Sequence, residues 1–253
     1  MGLRGKSVAV VESGSDQPKN YEHFANHRVA HIIQACYNHE NNSNWDCGIA
    51  CIAMVLQGLG IRCSLRSLAE QCAVESVWTI DLAVLLRNNY EGDFTYYTSY
   101  FGSRREHQEN KFYQDDFDED ERRVNKLFGS AKSKSIHVVR MMLPMDDFKR
   151  FLYCQRFVIV VLVNARLLKC QKCREQRNCV VTVCGQFDFF FEKMKGYDYI
   201  GHFICLIGYD PTENLFIYRD PAVVYSYCTI SAEDLDNARK ASGTDHDCIV
   251  IQI

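Results

Sequence analysis

The chain has 253 residues, a formal net charge of −3 and 47% hydrophobic residues. It is long enough to bury a full core in one globular domain. The near-neutral balance carries no electrostatic footprint for nucleic acid, and no apolar run approaches the roughly 18 residues of a membrane span.

In chain order, residues 1–22 are polar and aperiodic and are expected as a loose tail, with a single domain over 23–253. Phe24 to Tyr37 carries Val29, Ile32 and Ile33 and suggests a short leading strand. A polar Asn/Ser run then ends at Trp45-Asp46-Cys47-Gly48, and the residues from Gly48 to Leu59 are apolar on nearly every side. That pattern predicts a buried helix, with Asn44 or Asp46 as its start and Gly58 and Gly60 as its stop. Cys47 falls at its first turn, where a helix N-terminus stabilises a thiolate. Ser64–Cys72 predicts a second helix. A third opens at Trp78-Thr79-Ile80-Asp81-Leu82, with Thr79 as N-cap. Phe94–Tyr100 has strand composition.

From about 102 to 134 the composition turns charged. The acidic run Asp115–Glu121 is expected to be a solvated loop or helix lead-in rather than a metal or partner site. Helical spacing returns at Arg122–Phe128. Strands are predicted at Ile136–Met142 and Phe157–Asn164, the second buried on both faces, with a helix starting at Pro144 between them. His202–Tyr209 and Leu215–Tyr218 form a hairpin around the turn residues Asp210-Pro211-Thr212-Glu213-Asn214. A helix from Ser231 to about Arg239 and a closing strand at Cys248–Ile253 complete the chain. Helices come first and strands last, so the expected class is α+β: an N-terminal helical layer packed on a C-terminal antiparallel sheet.

A cysteine nucleophile needs a base, and the base needs an orienting group. His202 begins a strand and Asp220 ends the next. With the hairpin centred between Tyr209 and Leu215, Ala222 faces His202, and Asp220 lies on the same face along the diagonal. Helix Cys47, strand His202, then Asp220 is the order of a papain-like cysteine enzyme.

Here the chain resembles known families. The segment Asp46–Leu56 looks like the cysteine motif of bacteriocin-processing cysteine peptidases, and Gly201–Asp210 with Tyr218–Ala222 looks like their His and Asp segment. Six blocks in order resemble the guanylyl cyclase domain-containing family of plants and animals: 45–48, 76–82, 123–128, 161–164, 201–203 and 243–245. The resemblance implies a papain-like fold and carries a cyclase label. The likeness to the bacteriocin-processing peptidases also implies an oxyanion-donating Gln six residues before the Cys. That position holds Asn41; Gln34 stands thirteen before and is the preferred donor.

Cyclase chemistry has little visible support. There is no GxxxxGK[ST] loop and no clear carboxylate pair on strands. Asp81 and the acidic run are the loose candidates, and magnesium enters only with that reading. Cys170, Cys173, Cys179 and Cys184, in a loop at about 169–185, could hold a structural zinc ion; free thiols are the alternative. With 13 cysteines and an apolar stretch near the N-terminus of only Val8–Val11, reduced thiols and a cytoplasmic or nuclear setting are expected.

The functional expectation is a papain-like cysteine hydrolase or acyltransferase that needs no cofactor for its thiol chemistry. It would act on a peptide, isopeptide or acyl substrate. The alternatives are a guanylyl cyclase and a catalytically degraded binding protein.

Overall fold

The computed structural model describes residues 22–32, 47–72, 74, 76–109, 117–170 and 198–253. Its centre is helix α1, Cys47–Gly58, whose residues from Cys47 to Leu56 are all buried. It ends where the sequence runs out of side chains that can continue it: Gly60 takes φ +79°, a left-handed conformation that glycine adopts without strain. Helix α2, Leu65–Cys72, is preceded by a reciprocal cap in which Ser64 and Ser67 each accept from the other's backbone N–H, at 3.1 and 3.3 Å.

Helix α3, Thr79–Asn89, corrects the expected cap. Trp78 is the N-cap, and the Asp81 carboxylate reaches back to accept from the Trp78 N–H at 2.8 Å. Thr79 already sits inside the first turn. Helix α4, Phe117–Ser130, begins within the acidic run and buries Phe117, Asp120 and Val124. The run is thus only partly solvated; Asp120 is drawn inward by a cation described below. No leading strand forms in the described part of 24–37. Residues 22–24 make a 3-10 turn, and Ala25 makes one isolated bridge to Gly208.

Seven strands form one sheet: β1 Phe94–Thr98, β2 His137–Arg140, β3 Phe157–Asn164, β4 Gly201–Asp210, β5 Leu215–Arg219, β6 Cys228–Ser231 and β7 Cys248–Gln252, in the order β2-β1-β7-β3-β4-β5-β6. Every pairing is antiparallel except β1 with β2. The C-terminal strand does not close an edge. It inserts between β1 and β3, in the interior of the sheet.

β3 explains the layering. Val158, Val160 and Leu162 face the core built by α1, α2 and α3, whereas Ile159, Val161 and Val163 face a second core. The second core is covered by α5, Met145–Tyr153, through Phe148 and Leu152, and by α6, Ala232–Arg239, through Leu235 and Ala238. Alternation along a strand buried on both faces produces this division. The class is α+β, and α1 presents its N-terminus at the end of the sheet where β4 starts and β5 finishes.

Candidate active site

Cys47 is the first residue of α1 and is 6% exposed. Its neighbour Gly48 is wedged between α3 and β4. A Cβ there would lie 2.7 Å from Leu82 Cδ1 and 3.0 Å from Phe203 Cδ2, so a side chain would push the helix start off the sheet.

His202 is the second residue of β4, and Asp220 follows the last residue of β5. His202 Nε2 donates to Asp220 Oδ1 at 2.8 Å, with both side chains almost fully buried. Cys47 is close enough to the same imidazole to help hold its charge. With Nε2 committed to the carboxylate, Nδ1 is the nitrogen left for the sulfur. Burial works against charge on the His202 ring, but the Asp220 charge and hydrogen bond, joined by Cys47, outweigh it and push its pKa up to about 10. The ring therefore holds its second proton at neutral pH.

Asp220 is itself fixed. Its Oδ1 also accepts from the Ala222 N–H at 3.0 Å, and its backbone carbonyl accepts from His31 Nε2 at 2.9 Å. His31 comes from residues 22–32, which run along the sheet from Gly208 toward the site. Asn26 N donates to Ile207 O at 2.8 Å, and Arg219 Nε to Val29 O at 3.1 Å.

Two further buried thiols lie in α1 and β4. Cys51, one turn along α1, donates to Phe203 O at 3.5 Å. Burial pushes its pKa well up, and that of Cys205 to about 12. Neither supplies a thiolate at neutral pH. Both behave as the small buried hydrophobes that their apolar runs imply.

Asp81 and Asp120 are held elsewhere. Both carboxylates bind the Arg123 guanidinium, which also donates to Ser76 O at 2.9 Å; Trp78 Nε1 donates to Asp120 Oδ2 at 3.0 Å. The set clamps α3 to α4. Among the described residues, no group of three or more His, Cys, Asp or Glu is placed to hold a metal ion.

The structure thus brings Cys47, His202 and Asp220 together. Gln34, Asn41, Cys173, Cys179 and Cys184 lie outside the described residues; Cys170 is described and buried. His31 escaped the sequence reading because nothing local marks a histidine whose partner is 189 positions away. Among the described residues, no helix is long and apolar enough to cross a membrane.

The "Guanylylate cyclase" family model matches residues 37–251. "Guanylyl cyclase 1" of Arabidopsis thaliana is 34% identical over 212 residues, covering 83% of this chain and 73% of the relative. Among solved structures, one described as that of a C39-like peptidase from Bacillus anthracis is 14% identical, covering 90% of this chain and 96% of its own, with a TM-score of 0.44. On the reach of the family model and the identity to the plant relative, the chain belongs to the guanylylate cyclase family.

Proposed function

We propose that the chain is a cysteine-dependent acyl-transfer enzyme, a hydrolase or transferase acting on an amide, isopeptide or thioester carbonyl. One observation carries this reading: Cys47, at the start of α1, neighbours an imidazole that Asp220 orients from 2.8 Å.

In this reading Cys47 Sγ, as thiolate, attacks the carbonyl carbon and forms the C–S bond. The carbonyl electrons move to oxygen, where the α1 N-terminus and the Gln34 or Asn41 amide donate hydrogen bonds. His202 gives its proton to the leaving amine or thiol as the tetrahedral species collapses. Water or an acceptor amine then attacks the thioester while His202 takes its proton, and the thiolate leaves. Asp220 stays ionised and holds the ring.

The test is iodoacetamide labelling of Cys47, read by peptide mass, in wild type and His202→Ala. Labelling at least tenfold slower in the variant is expected. Equal rates would remove the reading.

A second reading comes from the name of the plant relative at 34% identity. A cyclase would form cyclic GMP from GTP with magnesium and would not need the thiol. The purified chain and Cys47→Ala would then make equal product; no product above a blank ends this reading.

A further inference from the structure

The β4–β5 pairing ends at Cys205 with Arg219, three residues short of His202. Asp220 therefore lies past the end of the ladder that positions the rest of β5. Its own turn is closed locally. Val223 N donates to Asp220 O at 3.2 Å, a β-turn with Pro221 at its second position, and Ala222 N donates to Asp220 Oδ1 at 3.0 Å. These bonds set the shape of the turn. They do not set where the turn stands relative to β4 and its histidine.

That placement comes from residues 22–32. His31 Nε2 lies 2.9 Å from Asp220 O. A carbonyl oxygen can only accept, so Nε2 carries the proton and donates it. Beside it, Arg219 Nε donates to Val29 O at 3.1 Å. The segment is itself anchored to β4 and to the loop after α5. Asn26 N donates to Ile207 O at 2.8 Å, Asn26 Nδ2 to Gln155 O at 2.9 Å, and Gln155 Nε2 to His23 O at 2.9 Å. Ala25 and Val29 are 4% and 0% exposed and enter the core that α1 builds. One end of the segment thus bridges β4 at Gly208, and the other holds the carbonyl of the residue that orients His202. Displacing a catalytic group by about 1 Å can cost up to ~100-fold in rate, so a tie at this point has leverage on the chemistry.

We infer that His31 is a positioning residue of this site: through the Asp220 carbonyl, the brace of residues 22–32 holds the carboxylate in register with the His202 imidazole. The inference rests on the thiol reading above. His31 acts on the sulfur only through Asp220 and His202, and this gives it a signature that a merely structural contact lacks.

The full chain is compared with His31→Leu, which keeps apolar bulk but has no donor, and with His31→Gln, whose amide Nε2 can donate to the same carbonyl. Iodoacetamide labelling of Cys47 is timed by peptide mass across pH. His31→Leu is expected to label about three- to tenfold more slowly near pH 6–7 and to converge on wild type near pH 9–10, where a thiolate forms without help from the imidazolium. His31→Gln should recover most of the rate. In an Asp220→Asn background, His31→Leu should change the rate less than about twofold, because the two residues act through one path. A further loss of full size there would overturn the inference. His31→Asn, too short to span the bond, replaces His31→Leu if that variant does not fold.

A second readout is independent of the thiol. The His202 ring is titrated by NMR; it holds its second proton to about pH 10 in wild type. His31→Leu should release it at lower pH and His31→Gln should restore it. That shift, with Cys47 inert in wild type, keeps the positioning role and removes the thiol mechanism. Labelling profiles and ring titrations that are the same in His31→Leu and wild type overturn the inference, whatever the thiol does.

Discussion

His202 meets Asp220 because β4 and β5 slip by one residue partway along. Near the turn, Tyr209 pairs with Phe216 and Gly208 with Ile217; beyond the irregularity between Leu206 and Gly208, Leu206 pairs with Tyr218 and Cys205 with Arg219. Extending the outer register sets Ala222 opposite His202 and puts Asp220 two residues away, on the same face. Extending the inner register would set Val223 there and turn Asp220 to the other face, since a one-residue slip inverts the alternation.

Residues 22–32 lie against that irregularity. A Cβ on Gly208 would come within 1.9 Å of Phe24 O, a backbone atom that cannot rotate away. Gly208→Ala should displace this segment, destabilise the protein by about 1–3 kcal/mol and slow Cys47 labelling. Thermal melting together with labelling rates checks both effects.

The raised pKa of His202 gives a pH prediction. The folded state holds the proton more tightly than the unfolded chain, so the stabilisation is complete below about pH 6.5 and is lost as pH rises through about 10. Asp220→Asn removes the main cause. Denaturant melts from pH 6 to 10 should show stability falling in wild type across this window and a flatter profile in the variant. Parallel curves would contradict the assignment.

Asp247 titrates in the same sense, over a lower pH window. Burial, and then the Asp245 charge, push its carboxyl up to about 7. The folded state therefore favours the protonated acid. Stability falls as pH rises from about 4, the ordinary carboxyl value, to about 7, and stays lower above it. Asp247→Asn should melt higher than wild type at pH 8 and about equally at pH 4.

Arg123 separates structure from metal chemistry at Asp81 and Asp120. Arg123→Met leaves two inward carboxylates uncompensated and should destabilise the fold by about 3 kcal/mol, with added magnesium restoring nothing. Recovery of the melting temperature in millimolar magnesium would instead mark the pair as a metal site.

A zinc ion at Cys170, Cys173, Cys179 and Cys184 is tested by elemental analysis of protein purified without chelator. One equivalent, lost in Cys170→Ser/Cys173→Ser, is expected; less than a tenth of an equivalent in wild type would leave these as free thiols.

Much of this was legible in the chain because it is written in neighbouring residues. The unbroken apolar run after Cys47 specifies a buried helix, the β-branched run at 157–164 a strand covered on both sides, and Asp210–Asn214 a turn. The Cys47, His202 and Asp220 set followed once the hairpin was placed. Three features lay beyond local reading. The insertion of β7 between β1 and β3, the capture of Asp81 and Asp120 by Arg123, and the bond from Tyr96 to Asp247 each depend on partners far apart in sequence. Propensity and periodicity act over a few residues and so determine which elements form. Which elements touch, and which polar atom is left without a partner when they do, is settled by long-range packing and hydrogen bonding that no local pattern encodes.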